Sequence, residues 1–165
     1  MAENSAIDEA QNYNVKLCVP GDLTKREMTA CIDLVTEGEA VGLEYVKKEL
    51  PLASILAIAR IDDHIVGVGA IKRTRRDYAA KISRESGVTF PRETPELGYV
   101  AVAPDHQGHG LSHRLAGALL AQHKGRLFST TYNDRMKQTL EKAGFVKRGK
   151  EWKGREFLLS FWHKR

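Results

Sequence analysis

The chain has 165 residues, 42% of them hydrophobic and 28% charged, which fits a soluble protein with one core. No apolar run approaches the roughly 20 residues of a membrane span, and the polar start MAENSAIDEAQ is unlike a secretory signal. The net charge of +5 is concentrated in residues 124–165, which suits an anionic ligand but indicates, taken alone, a solvated surface.

The first part of the chain predicts a strand and two helices after a disordered tail over residues 1–11. The stretch NYNVKLCV alternates apolar and polar residues, as a strand does. Thr24 and Glu27 have the spacing of a helix capping box, and an apolar stripe follows them at Met28, Cys31, Ile32 and Val35. A short second helix is expected near residues 41–50, where Pro51 ends it.

The remaining elements alternate between strands and helices. SILAIAR and IVGVGAIK predict a hairpin around residues 62–64, and the long basic segment 73–95 predicts a functional connection with a helix near 77–84. A strand, a glycine turn and a helix occupy residues 98–123, with Gly117 expected to pack closely on the sheet. Then come the strand RLFSTTY, the helix NDRMKQTLEKAGF and the paired strands FVKRGKEW and EFLLSFW. This order predicts a mixed sheet of the α+β type rather than a doubly wound fold.

The stretch GYVAVAPDHQGHGL leaves a strand, passes two glycines and enters a helix at once. A helix N-terminus carries unpaired N–H groups and a partial positive charge, so such a turn predicts an anion site, often for phosphate. A dinucleotide fingerprint would need a third glycine where His113 stands, and it would follow the strand directly. A mononucleotide P-loop fails as well, because the sequence contains no G-x-x-x-x-G-K-[ST] pattern.

The sequence resembles the GNAT superfamily of N-acetyltransferases at two motifs. Gln107-Gly108-His109-Gly110-Leu111-Ser112 fits the acetyl-CoA loop Q/R-x-x-G-x-G/A, and the later segment with Asn133, Gly144 and Phe145 fits the family's Asn–helix–Gly-Phe pattern. The predicted element order agrees over about residues 12–162. The resemblance implies a mostly antiparallel sheet of about seven strands with flanking helices, in one N-acetyltransferase domain over residues 12–165.

The resemblance also implies how acetyl-CoA is held. In the family, two parallel strands splay apart, and the pantetheine pairs with the free edge of the first, here the backbone of Val100 and Val102. The diphosphate would meet the N–H groups at the helix start. The implied cofactor-binding residues are therefore Val100, Val102, Gln107, Gly108, His109, Gly110, Leu111, Ser112, His113 and Asn133.

Acetyl transfer needs a neutral amine, and an alkyl amine with a pKa of about 10 is mostly protonated at pH 7. Glu96 matches a position where many relatives place a general base, although an exposed charge at a strand end is an equal reading. The family often protonates the leaving thiolate with a tyrosine seven residues after the Asn. Here that position is Leu140, so Tyr132 or Tyr99 is the candidate substitute, and we assign the role to Tyr132.

Several alternatives stay open. Asn133 is an ideal helix N-cap and need not contact CoA. His106, His109 and His113 suggest a metal, but no carboxylate or cysteine completes a set, so we predict none. Leu140 leaves room for a CoA-sensing module with little catalysis.

We expect a cytoplasmic enzyme that acetylates a small-molecule or protein amine, without membrane binding. Nucleic acid is disfavoured for want of a recognition motif, and a homodimer is left open. The basic segment 73–95 is expected to border the acceptor site and weakly favours an acceptor that carries a carboxylate or phosphate.

Overall fold

A computed structural model describes residues 12–38 and 41–165, so the predicted tail over residues 1–11 lies outside the described residues. The strands are β1 Asn14–Cys18, β2 Ile55–Ile61, β3 His64–Ile71, β4 Leu97–Val102, β5 Leu127–Thr131, β6 Val146–Lys153 and β7 Leu158–Lys164. The helices are α1 Lys25–Gly38, α2 Leu43–Glu49, α3 Arg76–Ser86, α4 Leu111–Gln122 and α5 Asp134–Lys142. This order confirms the predicted one, and α3 is the helix expected in the long basic segment.

The seven strands form two antiparallel sheets rather than one continuous sheet. The first has the order β1-β2-β3-β4, and the second has the order β5-β7-β6. Within the described ranges, one parallel bridge, between Glu96 and Phe128, connects the sheets. The amide of Phe128 also donates to the carbonyl of Pro95 at 3.2 Å. Strands β4 and β5 therefore touch at the start of β4 and separate beyond it, which confirms the predicted splayed parallel pair.

Helix α1 begins with the predicted capping box. The amide of Glu27 donates to Thr24 Oγ1 at 3.1 Å, and the amide of Thr24 donates to Glu27 Oε1 at 3.0 Å. Cys31, Ile32 and Val35 are buried on the helix face that packs against the first sheet. These reciprocal bonds satisfy donors that the first turn would otherwise leave unpaired, which fixes where the helix starts.

Helix α4 packs on the opposite face of the first sheet. Its buried residues are Leu111, Leu115, Ala116 and Leu119. A Cβ on Gly67 or Gly69 of β3 would lie 3.1 Å or 3.3 Å from the leucine side chains of α4, so these strand glycines allow the close approach. The prediction that Gly117 packs closely on the sheet is wrong. Gly117 is exposed, and a Cβ placed on it would have no neighbouring atom within 4 Å. At about 100° per residue, position 117 points away from the Leu115 and Leu119 face.

The second sheet carries its own apolar cluster beneath α3. Ile82 of α3 packs with Phe128 and Phe161, and the Phe90 ring lies 5.0 Å from each of these two rings. The sheet's hairpin, β6 with β7, is the pair predicted from sequence.

In the described residues, no helix has the length and apolar character that crossing a membrane requires.

Both thiols are free, but they differ in burial. Cys31 is fully buried, and burial raises the pKa of its thiol to about 12. Cys18 is half-buried, and burial raises the pKa of its thiol as well. Since the thiolate is the reactive form, a pKa near 12 leaves only about one Cys31 in 10⁴ ionised at pH 8.

We therefore expect iodoacetamide to alkylate Cys18 of the native protein at pH 8 and to leave Cys31 unmodified, as measured by peptide mass spectrometry. In urea the two cysteines should react at similar rates, which is the internal control. Equal native rates would contradict the burial of Cys31 in the core.

Candidate active site

A cavity of about 970 Å³ lies where β4 and β5 separate. Residues from the start of β4, including Glu96, line one end, and residues of the glycine turn line the other. Every cofactor-binding or catalytic residue proposed from sequence lines this cavity except His109. The tertiary structure thus brings together two motifs that lie on different elements of the chain.

The glycine turn presents a row of unpaired amides to the cavity. Gly108 and Gly110 have φ of 85° and 74°, a left-handed conformation that other residues adopt only at a cost. Gly110 precedes the first residue of α4, Leu111. Within the described part of the chain, the amides of residues 108–113 donate no hydrogen bond. This geometry is that of an anion site at a helix N-terminus.

Tyr13 supports the turn from outside the cavity. Its hydroxyl and His106 Nδ1 are 2.7 Å apart, and its ring lies 5.7 Å from that of His109. Arg114 of α4 donates to the carbonyl oxygen of Tyr13 at 3.2 Å. His106 and His109 therefore help to fix the turn. Over residues 12–38 and 41–165, no group of three or more His, Cys, Asp or Glu is arranged to hold a metal ion.

Gln107 bridges the open side of the cavity. Its Nε2 donates to the carbonyl oxygen of Val102 at 3.1 Å, and its Oε1 accepts from Arg135 at 2.8 Å. Sequence reasoning placed Gln107 and Val102 in the site but missed Arg135. Only the folded chain brings the first turn of α5 next to the glycine turn, so no local pattern could have indicated this contact.

Strand β4 contains a bulge in the wall of the cavity. Its register with β3 shifts between the Ala101–Val68 and Gly98–Ala70 pairs, and Tyr99 has a φ of 53°. Bulges re-aim side chains and interrupt pairing next to functional sites. The Tyr99 side chain is buried, and burial raises the pKa of its hydroxyl, so that it stays protonated.

Glu96 is buried at the start of β4, so the reading of it as an exposed charge is wrong. Its Oε1 lies 2.9 Å from Lys72 Nζ, and the two side chains are only 6% and 17% exposed. Lys72 Nζ also lies 4.0 Å above the centre of the Tyr99 ring. Gly98 provides the space, since a Cβ there would lie 2.6 Å from Lys72 Cε. The carboxylate and the ammonium group thus meet inside the cavity.

Tyrosines flank this ion pair, and sequence reasoning missed them. The Tyr78 hydroxyl lies 3.5 Å from Thr130 Oγ1, and burial raises its pKa to about 12. Tyr45 of α2 also lines the cavity, and its hydroxyl accepts a hydrogen bond from Arg75. Tyr45 lies on α2 and Tyr78 on α3, and only the folded chain shows that both side chains line the cavity.

Two arginines of the basic segment 73–95 pair with carboxylates and do not line the cavity. Arg73 makes two hydrogen bonds to the buried Glu49, at 2.8 and 2.9 Å, and Arg76 contacts Glu93 at 2.5 Å. Tyr78 is the residue of segment 73–95 that lines the cavity, so the segment presents less positive charge to the cavity than its composition indicates.

Tyr132 and Leu140 have opposite environments. Tyr132 lines the cavity, and its ring stacks on Phe157 of the β6–β7 turn with centroids 4.1 Å apart. Leu140 is fully buried in the core between α4 and the sheet. Its position on α5 therefore serves packing, and it supplies no polar group to the cavity.

The chain belongs to the acetyltransferase (GNAT) family, whose model matches residues 25–145. A comparison with curated protein sequences found no match.

Solved structures share the fold at low sequence identity. An acyl-CoA N-acyltransferase from Pseudomonas aeruginosa has a TM-score of 0.67 and 15% identity, over 93% of this chain and 99% of the other. A GNAT-family acetyltransferase from Streptococcus agalactiae has a TM-score of 0.69 and 13% identity, over 91% and 94%. One from Elizabethkingia anophelis, with acetyl-CoA bound, has a TM-score of 0.60 and 15% identity, over 93% and 98%.

Asn133 caps α5, as one of its two sequence readings proposed. Its Oδ1 accepts from the amides of Arg135 and Met136 at 2.9 and 3.2 Å.

We expect Asn133→Ala to lower the free energy of unfolding by about 1 kcal/mol, because it leaves both donors without this partner. Asn133→Asp keeps an acceptor oxygen and should stay within about 0.5 kcal/mol of the wild type in urea denaturation. An equal loss in both variants would contradict the capping role.

Proposed function

We propose that this protein is an acetyl-CoA-dependent N-acetyltransferase in which the acceptor amine attacks the thioester directly. One observation carries the proposal: a single cavity has unpaired helix-start amides at one end and a buried carboxylate, Glu96, at the other. The first end suits a diphosphate and the second a proton acceptor. We assign this activity to one domain over residues 12–165 of a cytoplasmic protein.

The diphosphate would bind the amides of residues 108–113, where the helix dipole favours negative charge. The pantetheine would then run along β4 towards Glu96, over about 17 Å at 3.3 Å per residue. The amide of Ala103 donates to Val66 of β3, so alternation directs the N–H and C=O of Val102 towards the cavity. Gln107 already donates a hydrogen bond to the Val102 carbonyl oxygen. When acetyl-CoA binds, either the Gln107 side chain would move away from this oxygen or the pantetheine would pair with Val100 instead.

Glu96 would accept the proton of the acceptor amine, directly or through a water. The carboxylate is buried and paired with Lys72, so the acceptor amine would approach it beside this ammonium group or reach it through a water. A backbone N–H of β4 close to Glu96 would stabilise the oxyanion that forms during attack, since Val102 lies at the other end of the strand. These roles need no group beyond this chain and its acetyl donor.

Tyr132 would protonate the leaving thiolate, because its hydroxyl is on a ring that the Phe157 stack orients at the cavity wall. The help required is small, since a thiol pKa of about 8.5 makes the thiolate a tolerable leaving group. The acceptor would enter past Tyr45 and Tyr78, which line the cavity beside Glu96.

A matched pair of variants tests the cofactor site. Ser112 lines the cavity at the start of α4, whereas Gln122 is exposed at the end of the same helix, outside the cavity. We expect Ser112→Asp to weaken acetyl-CoA binding at least tenfold by repelling the diphosphate, and Gln122→Asp to change it less than about threefold. Calorimetry on the purified proteins measures both. Equal effects, or no binding by the wild type, would contradict the assigned site.

A double variant separates catalysis by Glu96 from its role as the partner of Lys72. We expect Glu96→Gln to lower kcat by about 10²-fold or more, the usual contribution of a general base. Adding Lys72→Met removes the unpaired charge that Glu96→Gln leaves behind. The double variant should therefore regain stability but not rate.

The assay is release of free thiol from acetyl-CoA across a panel of primary amines, with thermal melting in parallel. Recovery of wild-type rate in the double variant would show that Glu96 acts only as an ion-pair partner. Tight acetyl-CoA binding without turnover of any amine would favour the CoA-sensing alternative that Leu140 leaves open.

A further inference from the structure

We propose that Lys72 is itself an acetyl acceptor, so that the protein acetylates its own Lys72 from bound acetyl-CoA. This inference rests on the proposed function and adds a modification site to it. The carrying observation is that a lysine amine lies in the cavity beside the carboxylate assigned as the base.

The position of Lys72 fulfils the requirements of an acceptor amine. Its Nζ lies 2.9 Å from Glu96 Oε1, a distance at which a proton passes directly between them. Its side chain is 17% exposed and lines the same cavity as Val100 and Val102, along which the pantetheine would extend. The ammonium group of Lys72 lies over the Tyr99 ring. Gly98 has no side chain, which leaves space for Lys72 to lie against β4.

Other basic side chains in the cavity lack this arrangement. Lys142 of α5 also lines the cavity, but it is exposed. Arg135 and Arg155 line it too, and guanidinium groups stay protonated and do not act as acyl acceptors at neutral pH. Lys72 is thus the lysine that the geometry selects, and Lys142 is its natural comparison.

The reaction balances without a further reactant. The Lys72 ammonium group gives a proton to the Glu96 carboxylate, and the freed nitrogen lone pair forms a C–N bond to the acetyl carbonyl carbon. The C–S bond of acetyl-CoA then breaks, and the nitrogen loses a second proton as the amide forms. Of the two protons, one ends on the CoA sulfur and one is released to water. The products are N-acetyl-Lys72 and CoA.

Acetylation would remove the positive charge of Lys72 and with it the ion pair to Glu96. The carboxylate would then be available to an ammonium group from outside. The modification therefore bears directly on the residue assigned as the base.

The test is a labelling experiment on the whole purified chain. The protein is incubated with acetyl-CoA that carries a ¹³C-labelled acetyl group, which distinguishes new acetylation from any acquired during expression, and peptides are quantified by mass spectrometry. We expect label at Lys72 at least tenfold faster than at Lys142, at a rate that saturates with acetyl-CoA and does not depend on protein concentration. Chemical acetylation would instead rise linearly with acetyl-CoA at both lysines.

Two variants sharpen the result. Ser112→Asp should suppress label at Lys72 without slowing label at Lys142, because it affects bound but not free acetyl-CoA. Lys72→Arg keeps the positive charge and should remove the label from this peptide. Label at Lys72 no faster than at Lys142, in protein that binds acetyl-CoA by calorimetry, would overturn the inference and leave the proposed function standing. Absence of acetyl-CoA binding would overturn both.

Discussion

The separation of β4 from β5 is the constraint on which the candidate site depends. Strand β4 pairs with β3, whereas it meets β5 only through the bridge at Glu96 and the bonds beside it. Beyond that point β5 stays with β7, so no strand among residues 12–38 and 41–165 pairs with the cavity-facing edge of β4. Backbone polar groups demand partners. The Gln107 side-chain amide donates to the carbonyl oxygen of Val102, and an extended ligand would pair with the other backbone groups on this edge of β4.

The same separation sets the electrostatics of the cavity. One end has helix-start amides and their partial positive charge, and the other has a carboxylate paired with an ammonium group. Removing two charges from water is costly, and a buried pair recovers that cost only with good geometry. Gly98 and Tyr99 provide that geometry for Lys72 by leaving space and a ring face. A buried ion pair that is held inside a cavity despite this desolvation cost is a candidate functional site.

The two ends of α5 are used differently. Its first turn faces the cavity through Asn133 and Arg135, whereas Leu140, two turns later, completes the core. Burying a leucine contributes about 1.5–3 kcal/mol, so this position is committed to packing. In the proposed mechanism, a hydroxyl for the leaving thiolate would come from another element, and Tyr132, directly after β5, lines the cavity.

The sequence by itself determined the element order, the capped start of α1 and the glycine turn, because periodicity, caps and glycine conformation act over a few neighbouring residues. Through the resemblance to the GNAT family it also predicted the splayed strands and the part of the cavity lining that β4, the glycine turn and Asn133 supply. Only the tertiary structure decided that Glu96 is buried with Lys72 and that Tyr45, Tyr78 and Arg135 line the cavity. Each of these depends on contacts between elements far apart in the chain, and no local pattern specifies which of their side chains meet.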